Sequence, residues 1–193
     1  QVLFNAVRND DIDMLNALLD EDKKKSQQYD TLLQSEQCYG ESVLCCAVEN
    51  NAYNCVNRLL QNKANPNQKD SYRDPPITQA KGKLIPLLIK YQADIYVNNN
   101  NVLANMIRTN DIDGLKALIA HDRSGKNEYT PELLSDQLKK YIHSVSNEML
   151  TILLEKGVDI NKHHDYQELI SSYEPSCCRK QNPIKNYEDV RRT

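Results

Sequence analysis

A chain of 193 residues is long enough for one or two compact domains, and its 39% hydrophobic and 26% charged residues make it slightly too polar for a thick-cored globule. A thin solenoid with a shallow core fits that balance. The formal net charge of −3 argues against a dedicated nucleic-acid or anionic-membrane binder, and no apolar run approaches the ~18 residues of a membrane-spanning helix.

The sequence repeats itself. Residues 7–22 read VRNDDIDMLNALLDED and residues 107–122 read IRTNDIDGLKALIAHD, an offset of 100. In the first copy Ile12, Leu15, Leu18 and Leu19 recur at three- and four-residue intervals, which predicts a helix with one buried stripe. The polar stretch between Asp22 and Gln37, with its Lys23–Lys25 run, is expected to be an exposed loop or an extra turn. Leu44 then opens VLCCAVENN and Ile77 opens ITQAKGK, 33 residues apart. Small Ala6, Ala47 and Ala80 allow helices to approach closely. Pro86 is expected in the first turn of a helix, and the four consecutive Asn of 98–101 at a hairpin tip. The second copy repeats the stripe as Ile112, Leu115, Leu118 and Ile119. After a further insertion, Thr130-Pro131-Glu132 has the form of a helix start, with Thr130 as cap. Met149, Ile152 and Leu153 form a last stripe. YQELISSY, after Asp165, is expected to be a short capping helix, and residues 174–193 a loose tail.

Gly40, Ser42, Leu44 and Ala47 open a unit that Leu59, Leu60, Ala64 and Asn67 close, and Asp70, Pro76, Ile77 and Ala80 begin the next unit in register. LLEKGVDIN at 153–161 repeats the closing pattern. These stretches resemble the ankyrin repeat, whose period is about 33 residues. The resemblance covers most of residues 1–165 and implies an all-α solenoid of about five stacked helix-turn-helix units with loop insertions, residues 166–193 forming the capping helix and tail. The units begin at or before Leu3, near Gln37, at Asp70, near Tyr96, and, for the fifth, with Leu138 as its opening leucine. The Thr-Pro-Leu-His tetrapeptide of the family is intact in none of them. Unit three is some four residues short, with Gly82 and Lys83 between its helices, and the first helix of unit five is lengthened.

No nucleotide-binding glycine motif and no Cys-x-x-Cys spacing occurs, so neither a cofactor nor a metal site is expected. Cys45, Cys46 and Cys55 fall on apolar helical faces and read as buried, reduced thiols. Cys177-Cys178 and His163-His164 lack the spacing of a joint tetrahedral site. Asp11/Asp13 and Asp111/Asp113 recur with the repeat and suit a helix N-terminus better than acid–base chemistry. The resemblance implies protein binding on a concave face. By register it assigns first-helix positions Arg8, Glu49, Asn50, Arg108, Thr109 and His143, and hairpin-tip positions Tyr39, Tyr72, Asp74 and Asn99. The expected partner is another protein, bound by a monomer, with no nucleic acid, membrane insertion or small-molecule substrate. The alternative is the targeting region of a larger enzyme whose catalytic domain lies outside the chain. The chain opens on Gln rather than Met, so it is expected to be a fragment or a processed form. Degenerate Asn- and Lys-rich repeats look like those of secreted effectors of intracellular bacteria or of host-range proteins of large viruses, which implies a cytoplasmic location, in the host for an effector.

Overall fold

The computed structural model describes residues 2–24, 37–38, 41–70, 72–97, 101–122, 129–141 and 145–159. Helices come in pairs. Unit one is α1 (Val2–Arg8) and α2 (Ile12–Lys24). A small antiparallel hairpin, β1 (Gln37–Cys38) and β2 (Glu41–Ser42), with Gln37 opposite Ser42, leads into unit two, α3 (Val43–Glu49) and α4 (Tyr53–Gln61). Unit three is a single 3-10 turn (Pro76–Thr78) followed by α5 (Leu84–Lys90). Unit four is α6 (Asn101–Thr109) and α7 (Ile112–Asp122), and unit five is α8 (Pro131–Tyr141) and α9 (Asn147–Glu155). First members pack on first members in series, α1 on α3, α3 on the 3-10 turn, that turn on α6, and α6 on α8. Second members form a parallel row, α2, α4, α5, α7 and α9.

No helix pair could bury its own apolar stripe, so the core runs along the stack. Leu15 and Leu19 of α2, Leu115, Leu118 and Ile119 of α7, and Met149 and Leu153 of α9 are buried, while Ile12, Leu18, Ile112 and Ile152 pack partly buried beside them. Ala6, Ala47 and Ala80 are buried where first members meet. Met106 holds the place of Ala6 in the second copy of the 100-residue repeat. Its bulk is offset one helix away by Gly114, where a Cβ would stand 2.4 Å from the Met106 sulfur.

In units one to four the turn from first to second helix pivots on one residue with left-handed backbone: Asp10 (φ 51°), Asn51 (φ 55°), Gly82 (φ 50°) and Asn110 (φ 58°). Asn, Asp and Gly tolerate this conformation best. Except in α5, where Pro86 has no amide hydrogen, the third residue of the following helix then needs an acceptor for its amide. Asp11 Oδ1 accepts from Met14 N, Asp111 Oδ1 from Gly114 N, and Ser146 Oγ from Met149 N. In α4 the capping position is Ala52, which offers no side-chain acceptor. Asp10 of the preceding unit supplies it instead, accepting from Cys55 N and from Asn54 Nδ2, both at 2.9 Å. The caps therefore tie units together as well as ending helices.

Pro86 lies in the first turn of α5, and Thr130 caps α8 through Leu133 N with Pro131 at its first position. Three expectations need correction. Lys23 and Lys24 continue α2 rather than starting a loop. Asn101 opens α6, so the tip cannot extend through it, while 98–100 lie outside the described residues. Five residues, Gln79–Lys83, separate the 3-10 turn from α5, because the first element of unit three stops after one turn. The segment YQELISSY and the tail from 174 also lie outside the described residues.

Candidate functional site

The stack brings one type of surface together repeatedly: the C-terminal ends of the first helices. Arg8 ends α1, Glu49 ends α3 and Arg108 is next to last in α6, all three exposed. Their immediate neighbours bond back to their own helices. Asn50 donates its amide to Cys46 O at 2.8 Å, and the half-buried Thr109 donates its hydroxyl to Asn105 O at 2.7 Å. Arg108 Nη2 donates to Asn105 Oδ1 at 2.6 Å, while Asn105 Nδ2 reaches Thr78 O of unit three at 3.2 Å. The guanidinium thus stands on a side chain that is itself anchored to the preceding unit.

The opposite ends of the same elements carry the tip of unit three. Asp70 Oδ1 accepts from Tyr72 N at 2.8 Å and from Asp74 N at 2.9 Å, and Asp70 N donates to Asp74 O at 3.0 Å. Arg73 takes left-handed backbone (φ 66°) inside this closed turn. The turn leaves the Tyr72 side chain 84% exposed, the most exposed large hydrophobic among the described residues, and Asp74 half-buried. A seven-residue helix is about 10 Å long, so tip and helix ends lie within reach of one partner. Tyr39, Asn99 and His143 lie outside the described residues.

Lys81 and Lys83, both exposed, lie at the turn of unit three but outside the positions that the repeat register assigns. They flank Gly82, whose left-handed backbone marks it as the equivalent of Asp10, Asn51 and Asn110. The missing residues of unit three hid that alignment. The single Gly between two Lys was the available signal.

Nothing among the described residues forms a catalytic or metal constellation. Cys45, Cys46 and Cys55 are buried thiols, none of them in a disulfide. Cys45 Sγ contacts Gln68 O at 3.7 Å and Cys55 Sγ contacts Ala6 O at 4.0 Å. Burial first, then the hydrogen bond and charge of Asp10 and the charge of Asp11, push the Cys55 thiol up to about 12, the reverse of what a nucleophile requires. No group of three or more His, Cys, Asp or Glu among the described residues could hold a metal ion. Cys177, Cys178, His163 and His164 lie outside the described residues. No described helix is long and apolar enough to cross a membrane.

Stacked helix pairs with left-handed pivots, inter-unit caps and hairpin tips define a helical-repeat solenoid. The family model for ankyrin repeats in three copies matches residues 1–70, and that part of the chain is built of ankyrin repeats. Units beyond residue 70 continue the same two-row stack. No curated protein matches the chain significantly. Ankyrin repeats generally mediate protein–protein interaction.

Proposed function

We propose that this chain is a protein-recognition module without catalytic chemistry of its own. Its partner, another protein, lies along the first helices and tips of units two to four, with Tyr72, Glu49 and Arg108 as principal contacts. The observation that carries this reading is Tyr72, a nearly fully exposed aromatic held on a turn that Asp70 closes with four hydrogen bonds. An exposed Tyr brings no folding energy of its own, while a pre-ordered one binds at low entropic cost. Arg8, Asn50, Asp74 and Thr109 border the same surface. The partner is a host protein, met in the host cytoplasm, if the chain is a secreted effector.

The test is a pull-down from a eukaryotic lysate followed by affinity measurement with the captured partner. Changing Tyr72 and Arg108 together to Ala should weaken binding by about 1–2 kcal/mol or more. Stability should change by no more than about 0.5 kcal/mol per site. If that double variant binds normally while deletion of residues 25–36 or 123–128 abolishes binding, the insertions carry recognition and the proposal fails.

A further inference from the structure

We infer that Asn105 is a positioning residue of the proposed surface: it fixes the Arg108 guanidinium against unit three, in a set relation to the Tyr72 tip. The inference rests on the proposed binding reading, in which Tyr72 and Arg108 meet the partner, and adds the residue that aligns them. Asn105 lies half-buried in α6, at the register position that Cys46 holds, fully buried, in unit two. A carboxamide there is a departure that core packing does not call for.

Both ends of that carboxamide are engaged. Its Nδ2 donates to Thr78 O of unit three at 3.2 Å, and its Oδ1 accepts from Arg108 Nη2 at 2.6 Å. Thr78 O ends the 3-10 turn and is one of the carbonyls that such an end leaves without a partner of its own. A carbonyl takes only the donor end of the amide, so the oxygen end must face the guanidinium. Asp in this place would lack the donor, and Ala would lack both groups. The backbone carbonyl of Asn105 also accepts from the Thr109 hydroxyl at 2.7 Å.

Unit three continues the connection to the tip. Thr78 Oγ1 donates to Pro75 O at 2.7 Å, and Gln79 Nε2 donates to Asp70 Oδ2 at 3.4 Å. Asp70 Oδ1 accepts from Tyr72 N at 2.8 Å. Tyr72 and Arg108 thus stand on one hydrogen-bonded frame that crosses from unit three to unit four through Asn105. Folding gains little from the tether. A cation in the last turn of α6 complements the helix dipole without being held in one place. Holding an exposed guanidinium gives up rotamer freedom for a contact of small net worth in water. A partner gains more, because the side chain it meets is already ordered.

The test begins on the full chain alone. Nitrogen-15 relaxation at Arg108 Nε should give an order parameter above about 0.6 in the parent and below it in Asn105→Ala. Asn105→Asp separates anchoring from attraction. Its carboxylate attracts Arg108 more strongly but cannot donate to Thr78 O, so the order parameter should fall there too. Equal or higher order in Asn105→Asp, or no change in Asn105→Ala, overturns the inference. Arg8, in unit one, is the reference and should change in neither variant. Circular dichroism establishes that each variant is folded, and Asn105→Ser, whose hydroxyl is too short to reach both partners, serves where the Ala variant does not fold.

With the captured partner, Asn105→Ala should weaken binding about three- to tenfold. It should have no effect in an Arg108→Ala background, because the two residues act as one unit. A loss that persists in that background shows Asn105 acting other than through Arg108, and overturns the inference. A partner that responds to the Tyr72/Arg108 double variant but not to Asn105→Ala overturns the inference alone. A partner that ignores the double variant overturns the proposed surface, and the inference with it.

Discussion

Cys55 looks unremarkable in the sequence, one apolar position on a predicted helix, yet its neighbours set its chemistry. It is fully buried at the third position of α4, its amide held by a carboxylate from the preceding unit. With the thiol raised from 9.0 to about 12, the folded state holds the proton that the unfolded chain releases. Its contribution to stability is complete below pH 9 and is lost as pH climbs towards 12. Denaturant midpoints measured across that window should therefore fall more steeply for the parent than for Cys55→Ala. Parallel curves would show that the thiol is not the titrating group. The native thiol should also alkylate slowly at neutral pH for the same reason.

At the scale of an element, α6 and α7 exchange volume. The repeat places Ala6 and Met14 in unit one and, 100 residues on, Met106 and Gly114 in unit four. Met106 is fully buried, and a Gly114 Cβ would stand 2.4 Å from its sulfur and 2.8 Å from Asp111 Oδ2. Gly114→Ala gains up to about 1 kcal/mol of helix propensity. Overpacking of about 1–3 kcal/mol works against it, and so does displacement of the Asp111 cap, so the variant should be net destabilised. Met106→Ala opens a cavity and should cost about 2–5 kcal/mol alone. The double variant should cost less than the sum of the two by about 0.5 kcal/mol or more, because the added methyl occupies space that Met106 vacated. Additive unfolding free energies would show that the two positions are not coupled.

Across the whole molecule, coupling is between neighbours, and much of it passes through polar side chains. Asn67 is exposed, yet its Oδ1 accepts from Asp94 N at 2.7 Å and its Nδ2 donates to Gln92 O at 3.1 Å, tying the exit of unit two to that of unit three. Tyr129 reaches Ile95 O through its hydroxyl at 3.3 Å and packs against Tyr96 with ring centres 5.6 Å apart. Asn67→Ala should raise amide exchange at 92–96 while leaving α1 unchanged, since each unit contacts only its neighbours. A uniform rise along the chain would instead mean that the stack opens as one cooperative unit.

The sequence by itself determined the helix pairs, their stripes and their order. Those features are periodic, and a period of 3.6 or of 33 residues is written in the spacing of Leu, Ile and Ala. It also determined local signals such as Thr130 before Pro131 and Pro86 early in α5, because capping and proline geometry act within one turn. Tertiary structure alone decided that Asp10 caps a helix 45 residues on and that Gly114 makes room for Met106. Those outcomes depend on which side chains the stacking brings within hydrogen-bond or van der Waals distance. Spacing along one chain does not encode that distance where a unit is shortened or a capping residue is missing.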